Sequence, residues 1–243
     1  MKKTVLLALA SLSLSLPATA QWGNKSLKGN GVETSEKRQV GSYDRISVSH
    51  IIQATLVPGA EGELLLEGEE NLLEHIITEV SGNHLTLKAE KGYQLQPSKG
   101  SAGIRIRVPV ADLQALEVSG AADIAGKGSF AFGDFEIDGS GAGEIELEFS
   151  STNLEVEVSG ACEITLQGKT DHLEIRASGA SNLRAYDLQA RDAKARISGS
   201  SHADISVSES LEAEISGAGD LRYRGNPEKI QSKTSGAGSI HKS

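Results

Sequence analysis

From residue 119 onward the dipeptide Ser-Gly recurs seven times, at Ser119, Ser140, Ser159, Ser178, Ser198, Ser216 and Ser235, with spacings of 21, 19, 19, 20, 18 and 19 residues. The flanks repeat with it, from LEVSGAADI through LEVEVSGACEITL to KTSGAGSI. A short, fixed period implies a stack of like units, because one such unit cannot bury its apolar face alone.

Aligned on the serine, each column has a physical role. Three residues before it stand Leu116, Ile137, Val156, Ile175, Ala195, Ala213 and Ser232; five after it stand Ile124, Ile145, Ile164, Leu183, Ala203, Leu221 and Ile240. Apolar columns alternate with polar ones, the period of half-buried strands, and no helical period survives beyond residue 111. Each copy therefore reads as strand, tight turn at Ser-Gly, strand and return. The fold class predicted is all-β: a parallel β-solenoid (β-helix) of about seven 19-residue rungs, with an N-terminal β-rich capping subdomain. At the strand spacing of about 4.8 Å, seven rungs make a rod roughly 30 Å long. Glycine or another small residue at the corner lets the backbone turn. A narrow interior suits Val, Ile, Leu and Ala and leaves little room for rings, in keeping with an aromatic content of 4%.

The rest of the chain divides by composition. Residues 1–20 read as a secretory signal: Lys2 and Lys3, an apolar run from Val5 to Leu16, and Ala18-Thr19-Ala20 as the cleavage site. Cleavage is expected after Ala20. Residues 21–40 read as a flexible lead-in, 41–110 as the β-rich subdomain and 111–243 as the solenoid. Strands are expected in RISVSHIIQATLV, ELLLEG, HLTLKAE and IRIRVPV, a short helix capped by Asn71 in LLEHIITEV, and a loop at 91–103. The bare last rung is guarded by Pro227, Lys229 and Lys233.

Charge and cysteine content exclude several classes. The formal charge is −9, and −11 once Lys2 and Lys3 are removed (22 basic minus 33 acidic), which argues against nucleic-acid binding. One cysteine allows no internal disulfide and no thiolate zinc cage. That residue, Cys162, falls at a small-residue corner position and reads as a buried, inert thiol.

No catalytic or cofactor-binding residues are expected, and no cofactor. The six histidines form no pair at metal-ligand spacing. Gly139-Ser140-Gly141 lacks the strand-to-helix turn of a nucleophile elbow, and no helix start follows it to bind a phosphate. The acidic columns are more suggestive: Glu136, Glu155 and Glu174 stand on successive rungs, as do Glu117, Asp138 and Glu157, and Asp123, Glu144 and Glu163. No metal site is predicted; the carboxylates that could gather round a Ca²⁺ ion are Glu136, Asp138, Glu155 and Glu157. Further along, Arg176, Lys194 and Arg196 are placed to pair with Glu157, Glu174 and Glu214.

Gly29-Asn30-Gly31, Tyr43-Asp44-Arg45-Ile46, Val57-Pro58-Gly59, Glu67-Gly68, Asn71-Leu72-Leu73 and Val108-Pro109, leading into the Ser-Gly ladder from Leu116, resemble the head GIN domain family of auto-transporter adhesins. The resemblance covers about 29 to 240. It implies a two-part all-β fold with a β-helical C-terminal half, in exported proteins common in Bacteroidetes-type bacteria. It brings no established catalytic residues.

The regularity of the rungs favours an exported, non-enzymatic envelope or surface protein. Such a protein would bind a glycan, matrix or envelope partner, in the periplasm or at the cell surface, through one solenoid face. The alternatives are a structural or signalling module that associates end to end as a homo-oligomer through the C-terminal rung, and a carbohydrate-active enzyme, which would need longer loop excursions than these returns. No stretch after the leader is long enough to span a membrane.

Overall fold

The computed structural model describes residues 25–243. The signal segment expected at 1–20, its cleavage after Ala20 and the first residues of the lead-in lie outside the described residues.

The repeats fold into a parallel β-solenoid. Before each Ser-Gly corner run Ala115–Gly120 and Asp134–Gly141, then the second halves of four long strands, Glu144–Gly160, Glu163–Gly179, Asn182–Gly199 and His202–Gly217, and finally Lys229–Gly236. After the corners run Asp123–Gly126, the first halves of those long strands, Asp220–Arg224 and Ser239–Lys242. Pairing between rungs is parallel and in register: Ile137 lies opposite Val156, Val156 opposite Ile175, and Ile175 opposite Ala195. These aliphatic columns are the core. Ile137, Val156 and Ile175 are fully buried, each worth about 1.5–3 kcal/mol relative to exposure.

The corner requires glycine for two reasons. Gly160 and Gly199 have φ of +102° and +79°, a region that side chains rarely adopt. A Cβ on Gly160 would also lie 2.6 Å from the Gly141 carbonyl oxygen of the preceding rung. That oxygen is committed to the stack, since it accepts the Ala161 N–H at 2.7 Å, and Gly160 O accepts Ala180 N–H at 2.8 Å in turn.

The stack begins before the first Ser-Gly. Arg45–His50 pairs parallel with Ala115–Gly120, and Ile52–Pro58 with Asp123–Gly126. Ser49 stands opposite Ser119 and His50 opposite Gly120, so Ser49-His50 is a further copy of the corner without its glycine. His50 has φ +72° and is the one non-glycine with positive φ among the described residues. Beyond this rung, His84–Ala89 and Ile104–Val110 add parallel strands. Antiparallel strands Ile76–Ser81, Glu63–Glu69 and Glu33–Gln39 then close the end.

Three local expectations are revised. The helix is a single turn, Glu70–Leu73, and the β-branched run after it forms strand Ile76–Ser81. Asn71 does not cap that turn; its amide donates to Lys28 O at 2.8 Å. From Lys25 onward the lead-in is ordered, with Lys25–Lys28 paired to Tyr93–Gln96 and Glu33–Gln39 paired to Glu63–Glu69; a backbone ladder holds an otherwise polar segment. The interior also accepts rings: all four phenylalanines, Phe130, Phe132, Phe135 and Phe149, are buried and pack together at and beside the return 127–133. Phe132 stands 4.8 Å from Phe135, and Phe135 stands 5.2 Å edge-on to Phe149.

Candidate functional site

From Ser140 onward, period-2 alternation puts two outward columns, six and four residues before each serine, on either side of one column between them. Between them runs a groove of about 1100 Å³, from Arg45, Asp112 and Gln114 at one end to Lys229 and Gln231 at the other. One bank is Asp134, Asn153, His172, Asp192 and Ser210; the other is Glu136, Glu155, Glu174, Lys194 and Glu212. Buried Phe135, Leu154, Leu173 and Leu211 hold the floor.

Both banks are bonded along the stack. Asn153 Nδ2 donates to Asp134 Oδ1 at 2.6 Å, and Asp192 accepts the Ser210 hydroxyl at 2.5 Å with His172 Nδ1 at 3.4 Å. On the opposite bank Glu174 binds Arg176 Nη2 at 2.8 Å and Arg196 Nη1 at 3.1 Å, and Lys194 lies 3.3 Å from Glu212. Arg176 also binds Glu155 rather than the expected Glu157. It sits two residues past Glu174 on the same face, so its fork reaches Glu174 in its own rung and Glu155 diagonally on the rung before. Each such exposed pair contributes about 0–1 kcal/mol, so the banks are ordered more than they are stabilising.

The carboxylates singled out from sequence fall in register. Glu136 stands opposite Glu155 and Asp138 opposite Glu157, with Glu117 before Asp138. Asp138 has its carboxyl pushed up, first by burial and then by the charges of Glu136, Glu157 and Glu117. Among the described residues, no three His, Cys, Asp or Glu side chains are grouped to hold a metal ion. Cys162 is buried in the core, where burial pushes its thiol up despite a hydrogen bond with the Gly143 backbone.

One polar cluster escaped the sequence reading. Ser47 Oγ donates to Glu117 Oε2 at 2.6 Å and lies 2.5 Å from His84 Nε2. These residues are 37 and 70 positions apart, and only the register of the first two rungs brings them together. The alternation in RISVSH and HLTLKAE carried the signal, but not the pairing.

A family model described as "Putative auto-transporter adhesin, head GIN domain" matches residues 42–227. Among solved structures, a "putative adhesin" from Bacteroides fragilis superposes with a TM-score of 0.83 at 19% identity, over 89% of this chain and 100% of that one. A "putative lipid binding protein" from Parabacteroides distasonis gives 0.70 at 25% identity, over 90% and 100%. A "putative adhesin" from Parabacteroides merdae gives 0.66 at 18%, over 90% and 99%. The Bacteroides fragilis and Parabacteroides merdae likenesses are likenesses of fold. Among curated proteins, the chain has no significant match.

Proposed function

Because the chain belongs to the family described as "Putative auto-transporter adhesin, head GIN domain", we propose that it is an exported, non-enzymatic binding protein of the cell envelope or surface. It holds an extended partner, a glycan strand or a matrix or envelope polymer, along the solenoid groove. The observation that carries this reading is the groove itself, a straight channel crossing successive rungs, with hydrogen-bonding and charged side chains repeated on both banks. A repeating surface suits a repeating ligand, since each unit of the chain meets the same pair of columns. Nor do the banks set one pair of carboxylates apart: Glu136, Glu155, Glu174 and Glu212 share one bank and Asp134 and Asp192 the other, whereas hydrolysis of a glycosidic bond needs one acid and one partner set apart by environment. Among the described residues no helix is long and apolar enough to cross a membrane.

The test is binding of the purified protein to a panel of acidic and neutral polysaccharides and to isolated cell envelopes. His172→Trp and Ser210→Trp, which fill the groove, are expected to lose binding. Thr165→Trp, on the other sheet, is expected to keep it. Equal binding by all three variants would remove the groove from the function, and turnover of a polysaccharide would remove the non-enzymatic reading. Protease shaving of intact cells addresses location separately: cleavage places the protein at the surface, and protection with release by osmotic shock places it in the periplasm.

A further inference from the structure

The banks of the groove use up their donors on one another. Asn153 donates to Asp134 and the Ser210 hydroxyl to Asp192; Arg176 pairs with Glu155 and Glu174, Arg196 with Glu174, and Lys194 stands 3.3 Å from Glu212. Acceptors are left over, because an ionised carboxylate offers about four lone-pair sites and donates nothing. Seven carboxylates line the groove, against the cations Arg45, Lys194 and Lys229, of which Arg45 and Lys229 stand at opposite ends. Arg176 and Arg196 reach in from the next column, but only at Glu155 and Glu174. Among the described residues, the Asp134 carboxylate is bonded by Asn153 alone and Glu136 by no side chain, and the Glu136 charge acts on Asp138.

We propose that the groove selects a glycan that carries free amino groups and no acid groups. This selectivity rests on the groove reading above and adds to it the charge of what is held. Asp134 and Glu136 are two residues apart on one strand, on either side of buried Phe135, which sets their backbones about 6.8 Å apart. An ammonium bonded at about 2.8 Å to a carboxylate on each side spans roughly 5.6 Å. One amino group seated over Phe135 therefore meets both acids, and the hydroxyl groups of the sugar supply donors to the acceptors that remain.

The same chemistry continues along the stack. Beyond Asp134 and Glu136, each rung sets a carboxylate on one bank: Glu155, Glu174, Asp192 and Glu212 in turn. An acid group on the ligand would face one of these at every rung, and like charges brought together disfavour binding. The one cation available to it between the ends, Lys194, is already beside Glu212. A lysine-rich peptide fits less well than an amino sugar. Its side chains alternate, so ammonium groups on one side recur about every 6.8 Å against a rung spacing of about 4.8 Å. Each lysine must also lose the rotamer freedom of a four-carbon stem, whereas an amine on a sugar ring is already fixed.

Calorimetric titration of the purified full chain at neutral pH with oligomers of equal length tests this. Oligo-glucosamine is expected to bind most tightly, its N-acetylated form less tightly and an oligo-uronate not at all, and the glucosamine affinity is expected to fall as salt is raised. Glu136→Gln is expected to weaken oligo-glucosamine by at least about tenfold. It is not expected to lower the melting temperature, since Glu136 is half-buried, has no bonded partner and repels Asp138. Uronate binding as tight as glucosamine binding, or a glucosamine affinity that Glu136→Gln leaves unchanged, would overturn the proposal. Oligo-lysine bound more tightly than oligo-glucosamine would overturn the assignment to a glycan. Binding of none of these oligomers would overturn it too, and isolated envelopes then decide the groove reading separately: it stands if His172→Trp and Ser210→Trp abolish envelope binding and falls if they do not.

Discussion

The Glu69 carboxylate accepts the backbone N–H of Gly31 at 2.6 Å, joining residues 38 positions apart. It also accepts the Ser98 N–H at 2.8 Å, and with 1% exposure it is the one buried charged residue among the described residues. Asn71 completes the clasp, accepting the Asn30 N–H at 3.0 Å and donating to Lys28 O. Gly29 is glycine because a Cβ there would collide with the Glu69 carboxylate. The Gly29-Asn30-Gly31 motif is thus the strap that ties the lead-in strand to the cap.

Burial alone would raise the Glu69 carboxyl, but hydrogen bonds from Ser98, Gly31 and Ser101 outweigh it and hold it below its ordinary value of 4.5. A lowered folded-state value means that the clasp stabilises fully above the unfolded value and that this contribution is lost as pH falls through the folded one. Glu69→Gln is expected to lower the melting temperature at pH 7 and to flatten the acid dependence below about pH 5. Melts of both proteins from neutral to acid pH test it; parallel curves would show that Glu69 is not the sensor.

Asp138 has the opposite sign. Its carboxyl is raised by burial and by Glu136, Glu157 and Glu117, so its ionised form opposes folding, and its contribution is best below its unfolded value and lost as pH rises through the folded one. Asp138→Asn is expected to raise stability at pH 7 and to gain least in high salt. The change is bounded by the roughly 1 kcal/mol of an exposed charge interaction, or about 2–4 °C for a chain of this size. A loss of stability in dilute salt would contradict the repulsion read from the ladder.

Arg38 holds the cap end through the carbonyls of Leu73 and Ile76. Arg38→Ala leaves both without a donor and is expected to cost about 1–3 kcal/mol. Hydrogen exchange should localise the effect to Ile76–Ser81 and Glu33–Gln39; uniform loss of protection through the rungs would show that the cap and solenoid unfold together.

How much was legible in the sequence follows from how far each signal reaches. The Ser-Gly period and its alternating columns are local and repeated, so rung number, parallel register and core residues such as Val156 and Ile175 could be read directly. The groove was half legible: its bank columns were visible as polar positions, but their concavity depends on how the return bends. Glu69, Arg38 and the Ser47–His84–Glu117 cluster were not legible, because each acts across tens of residues through pairings that occur once. The corner at Ser49-His50 was hidden for another reason. It lacks the glycine that marks every other copy, and the structure shows why it can.

A corner glycine is needed where another corner lies directly beneath it. His50 is the first corner, and the strand next to it, His84–Ala89, continues straight past that level instead of turning. His50 O still starts the ladder, accepting the Ala121 N–H at 2.9 Å, but no corner carbonyl sits under its Cβ. Gly160 has both constraints, φ +102° and the Gly141 oxygen 2.6 Å from any Cβ. Gly160→Ala is therefore expected to cost about 2–4 kcal/mol, the backbone penalty plus the displaced rung contact. His50→Gly should be within about 1 kcal/mol of neutral, because relief of positive φ offsets the greater chain entropy of glycine. Paired denaturant titrations separate the two. A gain at His50→Gly as large as the loss at Gly160→Ala would mean that φ alone sets the preference; a loss at Gly160→Ala well beyond any gain at His50→Gly assigns the excess to the stacked carbonyl.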